Sequence, residues 1–197
     1  MELYNFTLSL SGVQSKTEGL ADAIYDHGCD DALVFYHRSS VYVEFDREAE
    51  SLHQAIKSAV YHIESANIGA FAISVDSVLV GLSDVAELSD ATRQAITFLK
   101  NGSCGKEDFP DQTLRISGQS SLLDWSEVAC WLNNCDRLGN IDKSTRERLV
   151  LNAKTLSKWN LALRLRALQN LEDIDAIEKI AHSLPKPNKL NNSIKNG

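Results

Sequence analysis

Residues 83–101 read SDVAELSDATRQAITFLKN, which is the pattern of two short helices joined by a tight turn. Ser83 is a favourable N-cap residue for the first helix, and Thr92 is one for the second. Each helix has an apolar pair at the spacing of an inward face, namely Val85 with Ala86 and Ile96 with Leu99. The stretch therefore predicts a helix pair with a polar outer surface.

The residues that follow predict a hairpin and a third helix. Residues 109–123, FPDQTLRISGQSSLL, read as a strand, a turn around Gly118 and a returning strand. Asp124 and Glu127 then have the spacing of a capping box, which opens a helix. That helix carries Trp125 and Trp131, which we expect in a core rather than against nucleic-acid bases.

Together, residues from about 80 to 133 resemble the winged helix-turn-helix of bacterial excisionase- and MerR-type DNA-binding proteins. The resemblance rests on the helix pair, the Phe-Pro hairpin and the helix whose tryptophans, Trp125 and Trp131, are six residues apart. The chain departs from the pattern at Asp90, because most such motifs have glycine in the turn. Aspartate tolerates a positive φ better than most residues, so we expect the turn to form with some strain.

The resemblance implies that the second helix enters the major groove and that the hairpin contacts backbone or minor groove. Arg93 is then expected to read guanine and Gln94 to read adenine, with Thr97 beside them on the outward face. The implied phosphate contacts are Thr92, Lys100 and Lys106. The implied wing contacts are Arg115, Gln119 and Ser120.

Residues 1–78 predict a separate domain with the element order β-α-β-β-α-β. Apolar and polar residues alternate from Tyr4 to Leu10, as in a half-buried strand. The remaining elements are expected at about 17–27 (helix), 32–36 and 41–45 (strands), 48–65 (helix) and 71–75 (strand). This order is that of ferredoxin-like folds, an antiparallel sheet with both helices on one face, and it implies no particular activity.

Residues 136–184 predict a helical segment, with helices at about 142–169 and 171–184. Apolar residues recur in a broken heptad pattern that fits packing into a dimer or back onto the other domains. Basic residues along the first helix would contact either DNA backbone or the acidic first domain. Residues 185–197 predict a flexible tail. The expected fold class is α+β: a ferredoxin-like domain (1–78), a winged helix-turn-helix (79–135) and C-terminal helices.

Charge is unevenly distributed over the 197 residues, whose formal net charge is −7. Residues 1–78 carry 12 acidic and 4 basic side chains, residues 79–135 carry 8 and 4, and residues 136–197 carry 7 and 12. An acidic winged helix binds phosphates weakly alone, so we expect a homodimer on double-stranded DNA. The acidic first domain suggests a protein partner as well.

Other classes of protein find little support in the sequence. There is no glycine-rich phosphate loop, no paired metal ligands and no nucleophile-base motif, so we expect no enzyme, no cofactor and no metal. The four cysteines are expected to be free thiols. The first ten residues alternate apolar and polar side chains without a basic region, and no apolar run approaches the roughly 20 residues of a membrane span, so we expect a cytoplasmic protein without membrane contact. The favoured function is a transcriptional regulator. The alternative is a non-enzymatic interaction module, antitoxin-like or defence-associated, with a repurposed winged helix.

Overall fold

The first part of the chain forms an antiparallel sheet covered by two helices. The computed structural model describes residues 1–101, 109–114, 121–134, 142–168 and 171–185. They divide into two units, residues 1–164 and residues 165–197. The first elements are β1 (Glu2–Ser11), α1 (Leu20–Asp26), β2 (Ala32–His37), β3 (Ser40–Ala49), α2 (Leu52–Ser65) and β4 (Phe71–Val75). In the described residues, the sheet order is β2-β3-β1-β4 and every pair is antiparallel. The predicted β-α-β-β-α-β order is confirmed.

Alternation in β1 and β3 builds the first core. Phe6 and Leu8 of β1 are buried, and so are their cross-strand partners Phe45 and Val43 of β3. The Phe6 and Phe45 rings stack with their centroids 5.2 Å apart. Both helices contribute to the same core, because buried residues of α1 and α2 belong to it. The opposite face of the sheet is left polar or exposed.

Two predicted helix starts in this segment were wrong. α1 begins at Leu20 after Gly19, and the Thr17 hydroxyl instead accepts the Gln14 N–H at 3.0 Å in the preceding turn. α2 begins after Ser51, whose side chain accepts the Gln54 N–H at 3.3 Å. The predicted start near residue 48 failed because β3 continues to Ala49 in register with β1.

The second part of unit 1 contains short strands and helices around a second core. Its elements are β5 (Leu79–Val80), α3 (Leu82–Leu88), α4 (Arg93–Lys100), β6 (Leu123–Asp124) and α5 (Trp125–Asn134). β5 pairs with β6 in an antiparallel two-stranded sheet. The core is built from apolar side chains of each element: Val80, Val85, Ala86, Ile96, Leu99, Leu123, Trp125, Val128, Ala129 and Leu132. The helix pair thus forms around the predicted apolar residues.

A long helix, α6 (Lys143–Ala167), touches both cores. Ala153 belongs to the second core, whereas Leu156 and Leu163 belong to the first. Asp142 precedes the helix and accepts the Thr145 N–H at 3.0 Å. The broken heptad therefore reflects packing onto two different cores along one helix. The second unit contains α7 (Leu171–Ser183). No helix in the described ranges is both long enough and apolar enough to cross a membrane.

Candidate nucleic-acid interface

The first helix of the pair, α3, begins one residue before the predicted cap. Its N-cap is Gly81, and the Asp84 carboxylate accepts the Gly81 N–H at 2.8 Å. Ser83 therefore lies within the first turn, and its predicted capping role was wrong. The helix starts earlier because Asp84, rather than Ser83, supplies the side chain that satisfies a free N–H at this end. Val85 and Ala86 are buried against the neighbouring elements.

The turn between α3 and α4 has the backbone conformation expected at Asp90. Its φ is +50°, in the left-handed region that most motifs of this type fill with glycine. The Ala91 N–H donates to the Ala86 carbonyl at 2.9 Å, and the Asp90 N–H donates to the Glu87 carbonyl at 3.2 Å. These bonds satisfy the carbonyls at the end of α3. The buried Ser89 hydroxyl also donates to the Val85 carbonyl at 2.6 Å, which fixes the turn against the helix.

The outward face of α4 brings together three of the predicted base-contacting residues. Arg93, Gln94 and Thr97 are exposed, while Ile96 and Leu99 on the opposite face are buried. The three line one shallow depression of about 440 Å³, together with Phe98 and Asn101. Because the buried pair fixes the rotation of α4 about its axis, the polar side chains cannot turn inward without exposing the core.

Two hydroxyl groups of this segment, those of Thr92 and Thr97, form hydrogen bonds within α4. The Thr92 hydroxyl accepts the Ala95 N–H at 3.1 Å, so the predicted N-cap is confirmed. Lys100 lies in the last turn and is half-buried. The Thr97 hydroxyl donates to the Arg93 carbonyl at 2.8 Å. Its hydrogen is therefore engaged within the helix, which leaves its oxygen lone pair and its methyl group for an outside contact.

Phe98 is the residue on this face that the sequence analysis missed. Its side chain is 58% exposed, next to Gln94 one helical turn earlier. The available signal was its position: residues 95, 96 and 99 make up the inward side, so an aromatic at 98 falls outside the buried stripe. Phe98 adds an apolar side chain to a face that is otherwise polar.

The described residues show the base of the predicted hairpin. Leu114 and Leu122 form an antiparallel bridge, and the Thr113 N–H donates to the Leu122 carbonyl at 2.9 Å. Leu123 continues into β6, which pairs with β5. The predicted turn around Gly118 lies outside the described residues. Four predicted contacts also lie outside them: Lys106, Arg115, Gln119 and Ser120.

The two tryptophans of α5 lie as expected of core residues. Trp125 is 3% exposed, and its backbone N–H donates to the Val78 carbonyl at 2.9 Å. Trp131 is half-buried and meets Phe109 edge to face, with ring centroids 5.0 Å apart. Asp124 caps the helix, since its carboxylate accepts the N–H groups of Ser126 and Glu127. Neither ring is placed to stack on an unpaired base.

Charge around the helix pair is mixed. Asp84, Glu87 and Asp90 are exposed on α3 and the turn, and they oppose the approach of phosphates. On α6, Lys154 and Lys158 are exposed. The predicted contact between this helix and the acidic first domain occurs at its start, where Arg148 lies 3.5 Å from Glu2.

The pKa values of Asp76 and Cys29 are both raised above their ordinary values. Asp76 is exposed as a residue, but its carboxyl borders two cavities of about 450 and 410 Å³, where partial desolvation raises its pKa to about 6. Its hydrogen bond from the Thr7 N–H, 2.8 Å long, opposes that rise, and Glu44 adds to it. Burial raises the pKa of the Cys29 thiol, which favours an unreactive thiol.

Comparisons with known proteins leave the function open. No protein-family model matches the chain, and no curated protein matches it significantly. Among solved structures, it has a similarity to the regulatory subunit of aspartate kinase from Thermus thermophilus in its ligand-free form, at 12% sequence identity. The similarity covers 79% of this chain and 97% of the other, with a TM-score of 0.25.

Proposed function

We propose that this protein is a DNA-binding transcriptional regulator, with residues 79–135 acting as a winged helix-turn-helix. The observation that carries the proposal is the outward face of α4. Arg93, Gln94 and Thr97 are exposed side by side on a helix whose opposite face is locked into a core. Such motifs enter the major groove with the exposed face of the second helix of a pair, and the exposed face of α4 supports the proposal in this way.

Each exposed side chain suits a different base edge. The Arg93 guanidinium matches O6 and N7 of guanine, and the Gln94 amide matches N6 and N7 of adenine. Thr97 would contribute its methyl group to a thymine methyl, because its hydroxyl hydrogen is held by the Arg93 carbonyl. Arg93 is the first residue after the Thr92 cap, which is the end of a recognition helix that contacts base edges.

The acidic character of the domain sets the conditions for binding. Its 8 acidic and 4 basic side chains give little phosphate neutralisation, so a single copy binds weakly at physiological salt. Two copies on one duplex raise the effective affinity because the second contact becomes intramolecular. The proposed regulator is therefore a homodimer with half-sites about 34–36 Å apart, one helical turn of DNA.

Two substitutions distinguish a base contact on α4 from a phosphate contact outside it. Arg93→Ala removes a bidentate base contact and is expected to cost about 1–3 kcal/mol on the preferred duplex, with a smaller effect on scrambled DNA. Lys106→Ala removes a phosphate contact and is expected to weaken both duplexes nearly equally and to flatten the salt dependence. Fluorescence anisotropy on both duplexes at two salt concentrations measures these changes.

Lys57→Ala is the matched control, because it removes a cation from an exposed position on α2. It is expected to leave sequence preference unchanged. If Arg93→Ala is folded and keeps full sequence preference, α4 is not the recognition helix.

A second candidate function rests on Phe98. An aromatic side chain 58% exposed in the middle of the α4 face is the kind of anchor that protein interfaces use. In that case the winged helix is a repurposed interaction module, and the carboxylates on α3 face a basic partner. If the wild-type chain binds neither duplex even at low salt, this reading replaces the regulator.

A further inference from the structure

The two edge strands of the main sheet, β4 and β2, differ in the hydrogen-bond partners of their outward backbone groups. At the β4 edge, the Asn160 amide accepts the Val75 N–H at 3.2 Å and donates to the Val75 carbonyl at 2.6 Å. The Asn160 side chain thus takes the place of a neighbouring strand. At the β2 edge, no strand of the described residues pairs with Ala32–His37 on the side away from β3. Such an edge is a template for another strand.

The register of β2 identifies which backbone groups point to that open side. The Asp46 N–H donates to the Asp31 carbonyl at 3.0 Å, so residues 31 and 46 form a hydrogen-bonded pair. Because such pairs alternate along an antiparallel ladder, residues 33, 35 and 37 bond to β3. Ala32, Val34 and Tyr36 therefore direct their N–H and C=O groups outward, although the Ala32 N–H already donates to Cys29 at 3.2 Å.

The outward groups are complementary to those of a second copy of the same strand. With a two-fold axis at Val34, the N–H of each Val34 meets the carbonyl of the other. The N–H of each Tyr36 meets the carbonyl of Ala32 in the other copy. This register forms four hydrogen bonds. It does not use the Ala32 N–H, which is already bonded within the chain, and it leaves the Tyr36 carbonyl to solvent. A shift by one residue would place bonded groups opposite free ones.

The side chains of the strand suit the same register. Leu33, 64% exposed, would lie opposite Phe35 of the other copy, and Phe35 stacks on Tyr42 at a centroid distance of 5.3 Å. The segment Ala32–His37 contains no lysine, arginine, acid or proline, the residues that usually block an edge.

Charge at the ends of the strand is complementary as well. Asp30 precedes β2 and Arg38 follows it, and both are exposed. Antiparallel pairing brings the acidic end of one strand to the basic end of its copy. The same two side chains would repel their counterparts in a parallel arrangement.

We propose that two copies of this chain associate through antiparallel pairing of β2 about Val34, joining their sheets into one continuous sheet. The proposal goes beyond DNA binding and is tested without DNA, so failure of β2 pairing is distinguishable from failure of DNA binding. If the chain both binds DNA and pairs through β2, the β2 dimer brings two copies of α4 to one duplex.

Light scattering across a dilution series is the first test. The wild type is expected at twice the chain mass of 21.8 kDa. Leu33→Lys is expected to lose the dimer, because it places an ammonium against an apolar partner at the pairing surface. Ile73→Lys is the matched control: Ile73 is an apolar β4 residue, 44% exposed, and the change is expected to leave the dimer intact. Circular dichroism checks that both variants fold.

Disulfide trapping tests the register. In a hydrogen-bonded antiparallel pair the Cα atoms are about 5.5 Å apart, which a disulfide spans. Val34→Cys is therefore expected to give a covalent dimer on mild oxidation, with the 34–34 linkage found by mass spectrometry and absent from oxidised wild type. In addition, Arg38→Asp is expected to weaken the dimer and Asp30→Lys with Arg38→Asp to restore it.

A monomeric wild type at every concentration overturns the proposal. So does a dimer that survives Leu33→Lys, or one in which Val34→Cys gives no 34–34 linkage, because the association then uses another surface.

Discussion

Asn160 of α6 is expected to be costly to remove, because its side chain pairs with the edge of the main sheet. It is 8% exposed and makes three hydrogen bonds: two with the backbone of Val75 and one, at 3.0 Å, to the Leu156 carbonyl. Val75 is fully buried at the β4 edge. Asn160→Ala therefore leaves both backbone groups of Val75 without the partner that replaces a neighbouring strand.

The expected loss in the free energy of unfolding follows from the hydrogen bonds that Asn160→Ala removes. The two bonds to Val75 contribute roughly 1 kcal/mol each, net of water. An unsatisfied buried backbone group adds a desolvation cost of about 1–3 kcal/mol, which entry of water from the adjoining cavity reduces. We expect the free energy of unfolding to fall by about 3 kcal/mol on this basis. Urea unfolding of both proteins measures the difference.

Asn152→Ala is the control on the same helix. Asn152 is half-buried, and its side chain has no hydrogen bond among the described residues, so the change is expected within about 0.5 kcal/mol of the wild type. Hydrogen exchange adds a local readout, because the Val75 amide should exchange faster in Asn160→Ala. A loss below about 1 kcal/mol, the value of one ordinary hydrogen bond, would refute the reasoning. Unchanged protection of the Val75 amide would refute it as well.

Three further substitutions test the titration of Asp76 and the packing of Trp159. The pKa of Asp76, about 6 in the fold against about 3.9 unfolded, means that the folded state binds the proton more tightly. Wild-type stability should thus fall as the pH rises from about 4 to above 6, and Asp76→Asn should remove that loss. With solvent screening of this exposed residue, Asp76→Asn should gain about 1 kcal/mol at pH 8 and nothing near pH 4, measured by urea unfolding at both pH values. The buried Trp159 indole N–H has no hydrogen-bond partner among the described residues. Trp159→Phe should therefore change stability by less than about 1 kcal/mol in thermal unfolding, whereas Trp159→Ala should lose about 3–4 kcal/mol. An equal loss in both variants would contradict this reading.

The sheet could be predicted because its signal is local. Alternation in β1 and β3 specifies one buried face, and the turn residues between elements separate the strands from the helices. The starts of α1 and α2 could not be predicted in the same way. The residues around 48 suit a helix, but their pairing with β1, which lies more than 40 residues earlier, keeps them in a strand. Tertiary pairing overrode local propensity there.

The contact of α6 with the sheet edge could not be predicted from the sequence. Asn160 interrupts the apolar heptad, and a polar residue in such a series suggests a solvated or register-setting position. Its partner, Val75, is 85 residues away in the chain and offers backbone groups rather than a side chain. No pattern of residue types records a contact of that kind.

The α4 face was partly predictable because its signals, a cap and an apolar spacing, are local. The Thr92 cap and the buried pair Ile96 and Leu99 fix the helix and its rotation, so the exposure of Arg93 follows from spacing alone. The exposure of Phe98 follows from the same spacing, but it was missed because an apolar residue in a short helix is usually assigned to the core. The DNA contacts assigned to Arg93 and its neighbours stay predictions.

Selection of genomic DNA fragments by the wild-type chain at low salt is the most direct test of DNA binding. The fragments retained are sequenced, and the preferred site is located by footprinting. We expect enrichment of one motif with two half-sites related by a dyad, and loss of that enrichment when Arg93→Ala replaces the wild type. Retention of no fragment above a control without protein, even at low salt, would rule out the proposed DNA binding.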